Sequence, residues 1–133
     1  MGYREALYAY DLPIAKEMVL RGDPSDVAFV ESALNGCHID SIMCANDNTA
    51  AALMQTLITL GIRIPEDIRL AGVDDVKYAG LLPIPLTTLH QPCGAIGVAA
   101  MSAMLERVNN PSLPARSILL NGHLVVRRSC GSA

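Results

Sequence analysis

The sequence lacks an excess of basic residues: ten lysines and arginines stand against thirteen aspartates and glutamates, a net charge of −3. Proteins that bind nucleic acid directly usually carry a basic patch, so we do not expect this chain to contact DNA by itself. The short basic pair Arg127-Arg128 is expected to be a solvated feature of a strand.

Charged residues of both signs are scarce, at 17% of the 133 residues, whereas 51% are hydrophobic. This composition excludes a disordered chain, and the length is sufficient for one domain with a buried core. Such a high apolar share predicts that another segment or subunit covers part of the surface.

The sequence also lacks any Cys-x-x-Cys pair, although it contains Cys37, Cys44, Cys93 and Cys130. This excludes a zinc ribbon and a dithiol redox motif. Cys37 and Cys44 with His38 come nearest to a ligand cluster, but their spacing matches no familiar metal site. We therefore expect no metal and no cofactor, and reduced, partly buried thiols in a reducing, cytoplasmic compartment.

No membrane or export segment is apparent. The longest uncharged stretch, residues 78–105, is interrupted by Pro83, Pro85 and Pro92, which leaves no continuous apolar helix of about 20 residues. Residues 2–17 mix charge, tyrosine and proline without the apolar run of a signal peptide. We expect a soluble protein.

Hydrophobic runs and helix signals alternate along the chain, and the predicted strands are apolar on both faces. That pattern is typical of an α/β fold with a parallel sheet wrapped by helices. The helix at 94–105 fits poorly because it has no charged face, so it is either buried on two sides or separated from its partner. The predicted helices are 3–10, 23–36, 48–60 and 92–108, and the predicted strands are 17–20, 41–45, 68–73, 86–90 and 117–128.

Signatures of catalysis are absent as well: there is no G-x-S-x-G elbow, no P-loop and no G-x-G-x-x-G. Asp74 and Asp75 are adjacent, so on an extended backbone they point apart and make a poor acid–base pair. His38, His90 and His123 are isolated from any nucleophile signature. We therefore expect that the chain is not an enzyme.

Polar residues instead follow the predicted parallel strands. Asn46-Asp47, Asp74-Asp75 and Gln91 stand where three strands end, and open α/β sheets bind ligands beyond the carboxyl ends of their strands. The simpler alternatives are that Asn46 or Asp47 caps a helix and that Asp74-Asp75 makes a turn. Three positions at one sheet edge favour a site for a polar small molecule.

Several ordered motifs together resemble the effector-binding part of the lactose/galactose-repressor family of bacterial transcription regulators. The opening G-Y-R-E-A-L and the closing L-V-V-R-R-S fit the same family, so the resemblance covers essentially the whole chain. The five central motifs are C-A-N-D-N-T-A at 44–50, L-G-I-R-I-P-E-D-I at 60–68, G-V-D-D at 72–75, P-L-T-T at 85–88 and H-Q-P at 90–92.

The resemblance implies a core like that of periplasmic sugar-binding proteins, with two lobes, behind a helix-turn-helix that binds operator DNA. This chain looks like about the last two-fifths of such a protein, without the DNA-binding module, most of the N-terminal lobe and the first strand of the C-terminal lobe. Residues 1–91 would be the C-terminal lobe and 92–120 a helix and strand of the N-terminal lobe. Residues 121–133 would return to the C-terminal lobe.

In the family, the residues at Asn46, Asp74 and Gln91 can contact the effector, so the resemblance implies that these three bind ligand. Two features depart from the family pattern. An arginine that precedes G-Y-R-E-A-L falls outside the sequence, and Pro24 replaces an aromatic residue that often stacks on the effector.

Family dimer contacts would fall on Ala51, Leu81 and Leu82, for which an ordinary place in the core is the alternative. The leading hypothesis is the sensory fragment of a regulator that binds a sugar-like effector and forms homo-oligomers. A fragment of a periplasmic sugar-binding protein and a free-standing dimerisation or interaction module remain alternatives.

Overall fold

The computed structural model describes residues 2–13, 18–36 and 38–132, and it alternates helices with strands. The helix and strand order agrees with the sequence prediction except at the two strands discussed below. The elements are α1 (Gly2–Ala9), α2 (Val27–Gly36), β1 (Ser41–Met43), α3 (Asp47–Thr59), β2 (Arg69–Asp74), β3 (Thr87–His90), α4 (Cys93–Asn109), β4 (His123–Val125) and a C-terminal 3-10 helix (Arg128–Cys130).

The four strands form one sheet in the order β1-β2-β3-β4. The first three strands are parallel, with Met43 beside Ala71 and Asp74 beside His90. The fourth runs antiparallel to β3, with His90 beside His123. The predicted α/β class with a parallel sheet is confirmed. The edge strand β4 lies within the predicted strand at 117–128, but its antiparallel direction was not predicted.

The core lies between the sheet and α3, whose apolar face packs on β2. The predicted polar stripe of α3, Asn48, Gln55 and Thr59, is exposed, so this helix is amphipathic as a surface helix should be. The buried apolar residues form one cluster: Val30, Cys44, Ala50, Leu53, Met54, Leu57, Ile64, Ile68, Leu70, Ala79 and Leu86.

Helix α2 begins later than the predicted position at Asp23. The Asp26 carboxylate accepts hydrogen bonds from the backbone amides of Ala28 and Phe29, at 3.0 and 3.2 Å. These are the contacts of a helix N-cap, so the helix begins at Val27. Asp23 accepts from the Ser25 amide at 2.9 Å and stabilises the turn before it.

The predicted strand at 17–20 is wrong where it can be examined: residues 18–20 are not extended in a sheet, and Glu17 lies outside the described residues. Met18, Val19 and Leu20 are exposed. A strand requires a neighbour that satisfies its backbone groups, and this short apolar run has none among the described strands.

The predicted strand at 117–128 is also largely wrong. Only His123–Val125 pairs with β3, residues 113–122 have no regular secondary structure, and Arg128 starts the 3-10 helix. Ile118 and Leu119 are exposed, so the apolar pattern there marks residues without a partner sheet. Gly122 is required by close packing, because a Cβ atom there would approach the His90 carbonyl oxygen to 2.6 Å.

Helix α4 has no buried residue. Val98, Met101, Leu105 and Val108 are among its exposed apolar side chains. The alternative that this uncharged helix is buried on two sides is therefore wrong. No helix in the described part of the chain is long and apolar enough to cross a membrane.

Candidate functional site

The three residues predicted to bind ligand lie at the same edge of the sheet. Asn46 follows β1, Asp74 is the last residue of β2, and Gln91 directly follows β3. Because these strands are parallel and in register, their carboxyl ends open on the same side. This is the edge at which open α/β sheets bind ligands.

Asp74 and Gln91 contact each other directly. The Gln91 side-chain amide donates a hydrogen bond of 2.6 Å to Oδ1 of Asp74, and both residues are half-buried. Among the described residues, no group donates to the second carboxylate oxygen of Asp74. That oxygen can therefore accept a hydrogen bond from a ligand hydroxyl or amine.

Asn46 is the N-cap of α3, as the simpler alternative had it. Its Oδ1 accepts a hydrogen bond of 2.8 Å from the Thr49 backbone amide. The cap occupies the oxygen, so the side-chain NH₂ of this half-buried residue is the group left to donate to a ligand.

Asp47, next to Asn46 in sequence, is fully buried and stabilises the strand ends through its hydrogen bonds. Its Oδ1 accepts a hydrogen bond of 2.6 Å from the Thr88 hydroxyl, and its Oδ2 accepts one of 3.0 Å from the Val76 amide. A Cβ atom at residue 72 would approach Asp47 Oδ1 to 2.2 Å, so the carboxylate fits only against glycine. The sequence marked Asp47 as a possible cap and missed this role.

Asp75 takes different partners from Asp74, so the two carboxylates do not form an acid–base pair. Its Oδ1 accepts a hydrogen bond of 2.7 Å from Arg127, and its Oδ2 lies 3.0 Å from Nδ1 of His90. The Arg127 guanidinium, assisted by His90 and opposed by burial, lowers the pKa of Asp75 below its ordinary value. The His90 ring lies against His123, with centroids 4.7 Å apart.

Arg127 was expected to be solvated and is instead half-buried in this ion pair. It also donates to the Leu86 carbonyl oxygen at 2.9 Å. The sequence contained no signal for this contact, because Asp75 lies 52 residues away along the chain.

The structure gives the three predicted dimer residues different environments. Leu81 is 85% exposed, whereas Leu82 is half-buried and packs against the core, the environment that the alternative predicted. Ala51 is half-buried on α3.

The cysteine and histidine cluster that comes nearest to a metal site in the sequence is described only in part, because Cys37 lies outside the described residues. Within the described ranges, no group of three or more His, Cys, Asp or Glu side chains could hold a metal ion. Cys44 is buried, and that burial raises its thiol pKa to about 11.

An open cleft of about 480 Å³ lies elsewhere, near the amino ends of β2 and β3. Its lining includes Pro65, Pro85 and Arg128 but none of Asn46, Asp74 and Gln91. The three predicted ligand residues, at the carboxyl ends of β1, β2 and β3, do not line that cleft, although Arg127 in its wall also pairs with Asp75.

Comparison with known proteins identifies relatives along nearly the whole chain. A family model described as "Periplasmic binding protein-like domain" matches residues 1–130. The HTH-type transcriptional repressor PurR of Photobacterium profundum is 31% identical over 132 residues, which are 96% of this chain and 40% of the relative. The repressor PurR of Vibrio vulnificus is 33% identical over 130 residues, 95% of this chain and 39% of the relative.

Solved structures of transcriptional regulators also resemble this chain along nearly its whole length. The transcriptional regulator CelR–cellobiose complex has a TM-score of 0.84 and 30% identity, over 96% of this chain and 40% of that one. A LacI family transcriptional regulator from Lactobacillus casei with bound sucrose has a TM-score of 0.74 over 96% of this chain and 49% of that one. Its 23% identity shows a shared fold alone.

The chain thus spans about 40% of the length of the curated relatives it matches. These relatives are transcriptional repressors rather than enzymes, so the prediction that the chain is not an enzyme is confirmed. The chain belongs to the periplasmic-binding-protein-like domain family, in the form found in transcriptional regulators of the lactose/galactose-repressor type.

Proposed function

We propose that this chain is the effector-binding part of a bacterial transcriptional regulator and binds a small, polar, sugar-like ligand at the carboxyl ends of β1, β2 and β3. The observation that carries the proposal is the hydrogen bond between Asp74 and Gln91 at this edge. Together with Asn46 it offers acceptors and donors for a ligand rich in hydroxyl groups.

The three side chains have complementary roles. Asp74 accepts from a ligand hydroxyl through its second oxygen, and such a bond to a charged group contributes about 1.5–3 kcal/mol. The NH₂ of Asn46 and the amide oxygen of Gln91 orient the ligand. The cellobiose complex of a regulator 30% identical to this chain supports a sugar-like ligand class.

Pro24 is expected to weaken the binding of a sugar, because it offers no aromatic face for stacking. Aromatic contacts contribute about 0.5–1.5 kcal/mol beyond their buried area. The ligand is therefore recognised mainly through hydrogen bonds.

In the whole regulator, residues 1–91 and 121–133 belong to one lobe and residues 92–120 to the other, and the ligand lies between them. The absence of any buried residue in α4 supports this division, because a helix from another lobe would pack elsewhere. Ligand binding then shifts the populations of two lobe arrangements. Operator DNA is bound in the cytoplasm through a separate N-terminal helix-turn-helix.

Homo-oligomerisation is part of the proposal, and the exposed Leu81 supports it. In the 133-residue chain the exposed apolar side chains of α4 offer a second surface for self-association, because the lobe proposed to cover them is absent. Light scattering coupled to size exclusion, at several protein concentrations, tests this point. A mass that increases with concentration is expected, and a constant monomer mass contradicts it.

The ligand proposal is tested by a thermal-shift panel of sugars, polyols and purines, with Asp74→Asn as the site variant and Asp40→Asn as the control. Asp40 is an exposed carboxylate whose side chain bonds only its neighbour Ser41 among the described residues. We expect a sugar or polyol to raise the melting temperature of the wild type and the control but not of Asp74→Asn. A ligand that stabilises all three proteins equally contradicts the proposed site.

A further inference from the structure

The backbone at the end of β2 has an unusual conformation at two successive aspartates. The φ angles are 117° at Asp74 and 56° at Asp75. Residues other than glycine rarely occupy this half of the φ range, and such conformations persist only where the surrounding structure holds them. The position of the Asp74 carboxylate therefore depends on whatever holds this dipeptide.

The side chain of Asp75 supplies that restraint from two directions. One carboxylate oxygen accepts from Arg127 at 2.7 Å and the other lies 3.0 Å from the His90 ring. Its backbone amide also donates to the Thr88 hydroxyl at 3.3 Å. Since both oxygens are occupied, Asp75 is a poor candidate for direct contact with a ligand.

These contacts reach both members of the Asp74–Gln91 pair. Asp75 is bonded to Asp74 through the backbone, and its partner His90 is the residue before Gln91. A single carboxylate thus joins the end of β2 to the end of β3.

The contact between Asp75 and Arg127 also connects the strand ends to the C-terminal segment. Arg127 follows β4 and also donates to the Leu86 carbonyl oxygen ahead of β3. Its guanidinium therefore adds a charged side-chain link from this segment to Asp75, beside the backbone pairing of β4 with β3.

From this geometry we infer that Asp75 is a positioning residue: held by Arg127 and His90, it fixes the Asp74–Gln91 hydrogen bond. This inference rests on the proposed function for its significance, because Asp74 and Gln91 are the proposed ligand residues. Specificity would then depend on a residue that does not touch the ligand.

The test measures the solvent-exchange rate of the Gln91 side-chain amide by nuclear magnetic resonance in the ¹⁵N-labelled 133-residue chain. The variants are Asp75→Asn and Arg127→Gln, and the second changes a residue 36 positions from Gln91 in sequence (127 − 91). We expect exchange to accelerate at least about tenfold in both variants, because Asp74 moves and the Gln91 amide then loses the Asp74 carboxylate as its acceptor. Asp67→Asn is the matched control, since it removes a carboxylate that pairs with Arg63 on the surface.

Exchange at the wild-type rate in Arg127→Gln, with a native circular-dichroism spectrum, would overturn the inference. Loss of the fold in Arg127→Gln would also overturn it, since the ion pair would then support the fold rather than the site. If Asp75→Asn alone fails to fold, Arg127→Gln decides. The measurement uses no ligand, so a wrong ligand class leaves its result unchanged.

Discussion

The buried carboxylate of Asp47 accepts a hydrogen bond of 2.6 Å from the hydroxyl of Thr88 and thereby joins the first turn of α3 to β3. The same carboxylate accepts from the Val76 amide, so it also holds the segment that follows β2. The start of α3, the segment after β2 and strand β3 are therefore linked by one buried carboxylate.

Replacement of Asp47 by alanine removes the acceptor of both the Thr88 hydroxyl and the Val76 amide, although the Thr88 oxygen still accepts from the Asp75 amide. We expect the free energy of unfolding to fall by about 2–4 kcal/mol, since each unsatisfied buried group costs about 1–3 kcal/mol. Urea denaturation measures the change. Asp40→Ala, at an exposed carboxylate, should change it by less than about 0.5 kcal/mol, and equal losses would contradict the assigned role.

Gly72→Ala should destabilise the protein, because the new Cβ would overlap Oδ1 of Asp47 and approach a Leu86 methyl group to 3.1 Å. We expect a loss of about 1–3 kcal/mol, typical of overpacked cores. Gly97→Ala is the matched control, because a Cβ there meets no atom within 4 Å. In a helix interior it should stabilise by about 0.5–1 kcal/mol. If both variants changed the free energy of unfolding in the same direction, the close packing of Gly72 against Asp47 would be contradicted.

Asn46 can be tested as a helix cap apart from any role in ligand binding. Asn46→Ala should lower the free energy of unfolding by about 1 kcal/mol, because the Thr49 amide loses its acceptor. Asn46→Asp keeps an acceptor at this position and should retain most of that stability. Chemical denaturation of the two variants distinguishes them, and an equally large loss in both would contradict the cap.

The Arg127–Asp75 pair should make stability depend on pH in the acid range. Arg127 lowers the pKa of Asp75 below its ordinary value of 3.8. A carboxylate whose pKa is lowered in the folded state stabilises the fold at pH values above its unfolded-state pKa. This contribution declines as the pH falls from the unfolded-state pKa through the folded-state pKa. The stability difference between wild type and Asp75→Asn should therefore shrink between pH 7 and pH 3. Denaturation at both values measures it, and a constant difference would refute the prediction.

Cys44 and Cys93 should differ strongly in reactivity. Burial raises the thiol pKa of Cys44 to about 11, whereas Cys93 is exposed. Because the thiolate is the reactive species, iodoacetamide at pH 8 should modify Cys93 first and Cys44 only after unfolding. Peptide mass spectrometry over time gives the order, and early modification of Cys44 would contradict its burial.

Much of the fold could be predicted because its signals are local. The α3 helix has a cap at Asn46 and an apolar face, and β2 is a compact apolar run, so their approximate positions follow from neighbouring residues. The strand predicted at 117–128 is largely wrong because an extended apolar pattern forms a strand only where another strand pairs with it. Only His123–Val125 has such a partner.

The candidate site could be predicted only in part, for the same reason. Parallel strands bring their carboxyl ends to one edge, so the shared location of Asn46, Asp74 and Gln91 follows from strand order. The partners of Asp47 and Asp75 could not be predicted, since Thr88 lies 41 and Arg127 lies 52 residues away in sequence. No local pattern marks contacts over such separations.

The most direct test of the central claim is an amide chemical-shift titration of the ¹⁵N-labelled chain with cellobiose, ribose, mannitol and adenine, representing sugars, polyols and purines. This method also detects weak binding. We predict that a sugar or polyol causes saturable shifts centred on Asn46, Asp74 and Gln91, and that Asp74→Asn abolishes them. Saturable shifts centred instead on the cleft at Arg128 and Ser132, or shifts that persist in Asp74→Asn, would contradict the account.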